Sequence, residues 1–394
     1  MSLVSWQVMG EALEFGLPMQ DIYSKRVLDP RYYTDTQVLE QERDCLFAKG
    51  WASVGLASTV KPGCARPTQL AGSPLLLTRT RDGSLHVFHN ICAHRGAQLV
   101  PVPCENQRHL TCPYHAWSYS LSGELKGAPY LAGKKGSSIP QGEDKGFGLQ
   151  PIRHAVWFDT IFVNLAENAP AFSEWIAPLD DQLNPFDSPR LHLISATDYT
   201  IKANWKLVCE NFLDAYHVPF VHNQAGGPET AINFADLELS PDIFGFTLPQ
   251  GDADKKKPEW LFRLPLPPEL EHAQFFFYLF PNTLVAITGG WFQVISVQPT
   301  RVDQSDEVLG LYAMDNLSER NSEAAQEFST IMNRINQQDV DILPSLQAGR
   351  RSPAAGKNAL APFWDKTIER FLSRLEKALL EFPGPSTADG NKSP

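Results

Sequence analysis

The alternation of apolar and polar positions changes character twice along the chain. Residues 34–48 have helical spacing, with Thr34 and Gln37 as a capping-box pair at the start and Gly50 at the end. From residue 51 to about 165 the apolar runs are short and divided by turn residues, as in a small all-β unit. Residues 74–88 alternate around Asp82-Gly83, a hairpin signal. Residues 108–112 and 116–121 read as strands, Ser122-Gly123 turns the second, and 156–165 form a strand pair around Asp159-Thr160. Residues 131–146, rich in Gly, Lys and Ser, are expected to form an exposed loop.

The second change comes near residue 191. Before it, residues 166–190 carry Pro and Asp and are expected to be a linker. After it, 193–203 alternate as a strand and a helix begins near Asn204. Residues 223–270 show no clear period, which suits either an active-site lid or a disordered segment. Strands are expected at 273–280, 283–288, 291–298 and 307–314, and short turns at Pro281-Asn282 and Gly289-Gly290 make them antiparallel neighbours. Helices are expected at 318–347 and 363–382. The resulting division is a helical segment at 1–49 packed on the second unit, a β unit at 50–165, an α+β unit at 166–382 and a disordered tail at 383–394.

Composition narrows the class. The chain has 394 residues, 43% hydrophobic and 20% charged, which is ordinary for a soluble globular protein. No apolar run reaches the roughly 18 residues of a membrane helix, and the first residues lack a signal-peptide pattern, so a cytoplasmic location is expected. A net charge of −11 argues against a nucleic-acid partner. The six cysteines are scattered, so a disulfide framework is not expected.

Candidate chemistry begins with Cys92-Ala93-His94 and Cys112-Pro113-Tyr114-His115. Each short pair offers a thiolate and an imidazole on one tight loop. A Cys2His2 zinc site is one reading, although zinc sites usually pair Cys with Cys and His with His. The mixed order suits a [2Fe–2S] cluster in which the two Cys hold one iron and the two His hold the other. Cys104 lies between the loops but outside both pairs.

Cys92-Ala-His94-Arg-Gly and Cys112-Pro-Tyr-His115-Ala-Trp resemble the Rieske domain of the aromatic-ring-hydroxylating oxygenases, terminal alpha subunit. Respiratory Rieske proteins carry two further Cys joined by a disulfide; here those positions are Ala97 and Tyr114, so the resemblance is to the oxygenase and ferredoxin branch.

A second site is suggested by residues 204–222. His217 and His222 flank a helix end that Pro219 is expected to enforce. Two His and one carboxylate on one face of an iron leave positions open for oxygen and substrate. The stretch resembles the mononuclear-iron motif of the same family through Asn204-Trp205-Lys206, Glu210-Asn211-Phe212, Asp214, His217 and His222. The resemblance makes Asp214 an inter-subunit bridge between a cluster His and His217; its plain alternative is a solvated carboxylate. It also places Asn211, Phe212 and Val218 beside the substrate. The third ligand is expected on the helix after Asn321, where Asp339 shares a face with Phe328, Ile331, Met332, Ile335, Ile342 and Leu346 while Asp341 points away.

The resemblance implies a Rieske domain followed by a helix-grip (START-like) catalytic domain with an antiparallel sheet, α+β overall. It implies a [2Fe–2S] cluster, mononuclear Fe(II), O2 as co-substrate, and NAD(P)H electrons delivered by a reductase, with or without a ferredoxin. A homotrimer or an α3β3 assembly with a small subunit follows from the same source. The substrate would be a small organic molecule, either aromatic or a quaternary amine such as choline, betaine or carnitine. The phenylalanines at 275–277 could line a pocket or fill the sheet core. The rival class is a Rieske electron carrier, which would use the four cluster ligands alone.

Overall fold

The structure, a computed structural model, describes residues 27–134, 146–183, 191–222, 234–249, 273–287, 291–314 and 323–381. The expectations for 1–26, 135–145, 184–190, 223–233, 250–272 and the 383–394 tail lie outside the described residues.

The chain enters through α1 (Arg31–Thr34) and α2 (Thr36–Glu42), which continues into a π-helical turn at Arg43–Phe47. The capping residue is Asp35, not Thr34. The Asp35 carboxylate accepts from the Gln37 N–H at 2.8 Å, while the Thr34 hydroxyl donates back to the Pro30 carbonyl at 3.0 Å.

Three small antiparallel sheets follow. Their strands are β1 (Ala52–Leu56), β2 (Ala65–Leu70), β3 (Ser73–Arg79), β4 (Leu85–His89), β5 (Leu110–Thr111), β6 (Ser118–Tyr119), β7 (Leu125–Gly127), β8 (Arg153–Trp157) and β9 (Thr160–Asn164). The orders are β1-β9-β8, β2-β3-β4 and β5-β6-β7. Gly83 turns the β3–β4 hairpin with φ +95°, a conformation that suits Gly. The strands expected at 108–112 and 116–121 shorten to Leu110–Thr111 and Ser118–Tyr119, and the turn from Cys112 to Trp117 takes up the backbone between them.

The linker expectation for 166–190 fails in its middle, where α3 (Phe172–Leu183) forms. Pro178 sits inside α3 and forfeits one backbone hydrogen bond. Burial of Ile176, Leu179 and Leu183 against Trp51 and Phe162 offsets that loss.

The second unit contains β10 (Leu191–Ile201), α4 (Trp205–Leu213), α5 (Val218–Val221), β11 (Ala235–Ser240), β12 (Ile243–Pro249), β13 (Ala273–Leu279), β14 (Thr283–Ile287), β15 (Phe292–Arg301), β16 (Gln304–Met314), α6 (Glu323–Arg350) and α7 (Lys366–Leu380). One antiparallel sheet runs β10-β16-β15-β14-β13-β12-β11. β11 and β12 fall in the 223–270 stretch that showed no period, so part of that stretch is sheet edge.

Both faces of this sheet are covered, which explains its unbroken apolar strands. Phe275 and Phe277 pack with Phe292 and Val294 on the α3 side. Tyr278, Ile295, Leu309 and Leu311 pack with Trp205, Leu213 and Phe328 on the helical side. Phe276 points to the helical side too, stacked on Phe246 at 4.8 Å and edge-on to Phe212 at 5.9 Å. Two of the three phenylalanines are thus core, and the third reaches toward α4.

A buried polar network ties the entry helices to α4 and α6. Lys206 Nζ lies 2.6 Å from Glu42 Oε1, and both side chains are fully buried. Trp205 Nε1 donates to Glu42 Oε2 at 2.8 Å, and Tyr33 donates to Glu210 Oε1 at 2.5 Å. Arg350, at the end of α6, lies 3.3 Å from Glu210 Oε2. Lys206→Met strands a buried carboxylate and is expected to destabilise the chain by about 3–5 kcal/mol. The chemical-denaturation midpoint checks this, and the double change Lys206→Met with Glu42→Leu should recover much of the loss.

Candidate metal centres and their ligands

The two cysteine loops are built alike, although their His spacings differ. In each, the Cys N–H donates to the carbonyl five residues on: Cys92 to Ala97 at 2.8 Å and Cys112 to Trp117 at 2.7 Å. In each, the residue four places on donates back to the Cys carbonyl at 3.0 Å, from Gly96 and from Ala116. Both of those residues are left-handed, with φ +68° and +56°. Ala116 therefore holds a conformation that a Cβ disfavours.

The loops bury the thiols and expose the imidazoles. Cys92 and Cys112 are each 2% exposed, and His94 and His115 are exposed with ring centroids 4.7 Å apart. Trp117 stacks on His94 at 4.9 Å. The Tyr119 hydroxyl accepts from the Ala93 N–H at 3.1 Å and lies within hydrogen-bond distance of Cys92 Sγ, also at 3.1 Å. A hydrogen bond on a ligating sulfur is a lever on cluster potential.

A tetrahedral zinc would draw its four ligand atoms to within roughly 3.5 Å of one another. Among the described residues, the group of three such atoms lying within 4.8 Å is His217, His222 and Asp339, not the Cys–His loops. Thiols inside and imidazoles outside instead suit a two-iron cluster. The other four cysteines are unpaired by disulfides, and Cys104 lies in a bridge to Ala65. Cys92→Ser should abolish the visible absorption of the cluster; a wild-type spectrum would overturn Cys92 as a ligand.

The second centre differs from its expectation in local structure. α4 ends at Leu213 and Asp214 is its C-cap, so Asp214 and His217 do not share a continuous helix. Pro219 does not stop a helix but opens the single-turn α5, where the missing N–H costs nothing. His217 caps α5 at its start and His222 at its end, and this turn brings both rings to one point.

His217 Nε2, His222 Nε2 and Asp339 Oδ1 are separated by 3.2–3.3 Å. Three ligands at right angles on one metal, with bonds near 2.1 Å, would stand about 3 Å apart. Asp339 Oδ1 is buried with no hydrogen-bond donor, so the atom aimed at both imidazoles is an orphan that a cation would satisfy. Burial alone would raise the Asp339 pKa; the two imidazoles outweigh it and hold it well below the carboxylate range. Burial alone would lower the His217 pKa; Asp214 and Asp339 outweigh it and raise it to about 9. The residues fit a metal held by two His and one carboxylate.

Around these ligands, His222 Nδ1 faces Gln338 Oε1 at 3.0 Å, which fixes Nε2 as the free lone pair. Asp214 Oδ2 lies 3.4 Å from His217 Nδ1, and its Oδ1 accepts from the Tyr216 N–H at 2.7 Å. Asp341 is exposed and bonded to Gln337, apart from the centre. Asn211, Phe212 and Val218 are half-buried, and Phe212 reaches Phe276 across the sheet face. Gln338, Tyr119 and the network at Glu42 escaped sequence reasoning; Gln338 could have been suspected from its place beside Asp339.

The stripe that selected Asp339 is partly different from the expected one. Ile331, Ile342 and Leu346 are exposed, at 37%, 39% and 44%. The buried row of α6 is Phe328, Met332, Asn336, Leu343 and Gln347, and Asp339 falls on it between Asn336 and Leu343.

Both units of the chain match known families. Residues 50–141 match the Rieske [2Fe–2S] domain and residues 188–381 match the ring-hydroxylating alpha subunit catalytic domain. The chain belongs to the Rieske non-heme iron oxygenases, as a terminal alpha subunit. It is an oxidoreductase that uses a [2Fe–2S] cluster, a mononuclear iron and O2. Alpha subunits of this family take electrons from a reductase or ferredoxin and assemble as oligomers.

The chain is 26% identical over 356 residues to the chloroplastic choline monooxygenase of Spinacia oleracea, spanning 88% of this chain and 77% of that one. It is 33% identical over 187 residues to the glycine betaine monooxygenase oxygenase subunit of Pseudomonas aeruginosa, spanning 47% and 42%. The quaternary ammonium Rieske monooxygenase CntA, solved with gamma-butyrobetaine, superposes with a TM-score of 0.70 at 20% identity, covering 89% of this chain and 94% of that chain. Among the described residues no helix is long and apolar enough to cross a membrane.

Proposed function

We propose that this alpha subunit is a monooxygenase of a quaternary-ammonium substrate of the choline, betaine or carnitine type. The observation that carries this reading is the similarity to choline monooxygenase across most of the chain. It favours the quaternary-amine alternative over an aromatic ring. The balance of the reaction is one C–H bond and O2, with two electrons and two protons, giving one C–OH bond and water. Iron and cluster supply oxygen binding and electrons.

The chain's own residues do the rest. Cys92, His94, Cys112 and His115 hold the cluster, and His217, His222 and Asp339 hold the iron. Gln338 and Asp214 orient the two imidazoles. Phe212 and Phe276 form an apolar wall beside α4, and aromatic faces attract methylammonium cations. Asp214, partly exposed, bridges to a cluster His of a neighbouring copy in a homotrimer.

The test is a product screen with a Rieske reductase and NADH over choline, glycine betaine, carnitine, benzoate and phenol. Substrate-dependent NADH and O2 uptake with an oxidised amine product is expected. Turnover of benzoate or phenol, with none of the amines oxidised, would overturn the assignment.

A further inference from the structure

Among the described residues three glutamates are buried: Glu42, Glu210 and Glu307. The first two lie against a cation of the chain, Lys206 and Arg350. Glu307 has none. Among the described residues its carboxyl accepts one hydrogen bond, from Asn336 Nδ2 to Oε1 at 2.7 Å, and no Lys, Arg or His pairs with it. A carboxyl 3% exposed with a single neutral donor is costly to keep in a core.

Its place makes the missing cation informative. Glu307 stands on the helical face of β16, directly opposite Tyr199 on β10 and Val297 on β15. Its donor, Asn336, precedes the iron ligand Asp339 by one turn on the same face of α6. Three residues of helix are about 4.5 Å of rise. Leu309 and Val297 supply apolar surface beside it, and the Tyr199 ring is held by a 2.6 Å hydrogen bond from its hydroxyl to Asn333 Oδ1. The Glu307 pKa is raised to about 7, chiefly by burial, with the Asn336 hydrogen bond opposing the rise and the Asp339 charge adding to it.

We infer that Glu307 is the counter-ion for the substrate's ammonium group, with the Tyr199 ring as a neighbouring wall. A quaternary ammonium has no N–H to donate, so it is recognised by charge and apolar contact rather than by hydrogen bonds. A single carboxylate among apolar and aromatic surfaces is that environment. Asn336, which donates to Glu307, stands one helical turn before Asp339 on α6, so the carboxyl lies on the side of the sheet that faces the metal-ligand helix. The inference rests on the quaternary-ammonium reading above.

The test is equilibrium binding by calorimetry, with no turnover. The probes are choline and glycine betaine, each against its tert-butyl isostere in which carbon replaces the ammonium nitrogen. Wild type should prefer each cation by at least about tenfold. Glu307→Gln keeps an oxygen for Asn336 and should bind cation and isostere alike, with cluster absorption and iron content unchanged. Glu307→Asp keeps the charge and should restore a preference for the cation.

If wild type discriminates and Glu307→Gln discriminates equally, the inference falls while the quaternary-ammonium assignment stands. If wild type binds neither cation, both fall.

Discussion

Asp339→Ala is expected to end oxygenation while leaving a cluster that reduces normally. The loss should exceed the roughly hundredfold upper end that outer-shell changes produce, because a ligand itself is gone. The variant leaves His217 and His222 facing each other at 3.3 Å with no carboxylate between them. Bound iron should fall by one per chain. Asp341→Ala removes only an exposed contact to Gln337 and should turn over normally. The reverse pattern, with Asp341 essential and Asp339 dispensable, would mean that the wrong carboxylate has been named. Iron analysis beside turnover separates the two.

Asp214→Asn should lower turnover by at least about tenfold, the low end for a residue that acts on a metal ligand from behind. The size is unchanged, and the amide oxygen can still accept from the Tyr216 N–H. What goes is the charge facing His217 Nδ1 at 3.4 Å. Cluster content should be near normal and the mononuclear iron retained or modestly weakened. Reduction of O2 in a single turnover should slow even when the cluster starts fully reduced. Normal turnover would remove the bridge; complete loss of the mononuclear iron would make Asp214 a ligand instead.

The two candidate centres could be read from the sequence because their residues are local. Cys92 to His115 and Asn204 to His222 each lie on one short stretch, and the spacing alone limits what they can bind. Asp339 is 117 residues beyond His222 and was found through the apolar spacing of its helix. That spacing was only half informative. Asn336 and Gln347 are polar residues buried by specific partners, Glu307 and the Asn204 N–H, so the true inner row looks polar in the sequence. Ile331, Ile342 and Leu346 look like core and are exposed on this chain.

Other misses have similar causes. α3 was hidden by Pro178, whose breaking tendency is outweighed by contacts from distant residues. β11 and β12 were hidden because one edge strand reads Ala-Asp-Leu-Glu-Leu-Ser and is largely solvated. The break between α4 and α5 at Asp214 left no mark in the sequence, since Pro219 suits a helix start as well as a helix stop. Glu307 was invisible as a site because nothing near it in sequence shares its surroundings. Tyr199 and Asn336 reach it from 108 residues before and 29 after.

The most direct test of two metal centres on one chain is a count of iron and acid-labile sulfide on purified protein. The account predicts three irons and two sulfides per chain, the cluster plus one further iron. Two irons and two sulfides, in protein whose cluster is fully loaded, would contradict it and leave an electron carrier.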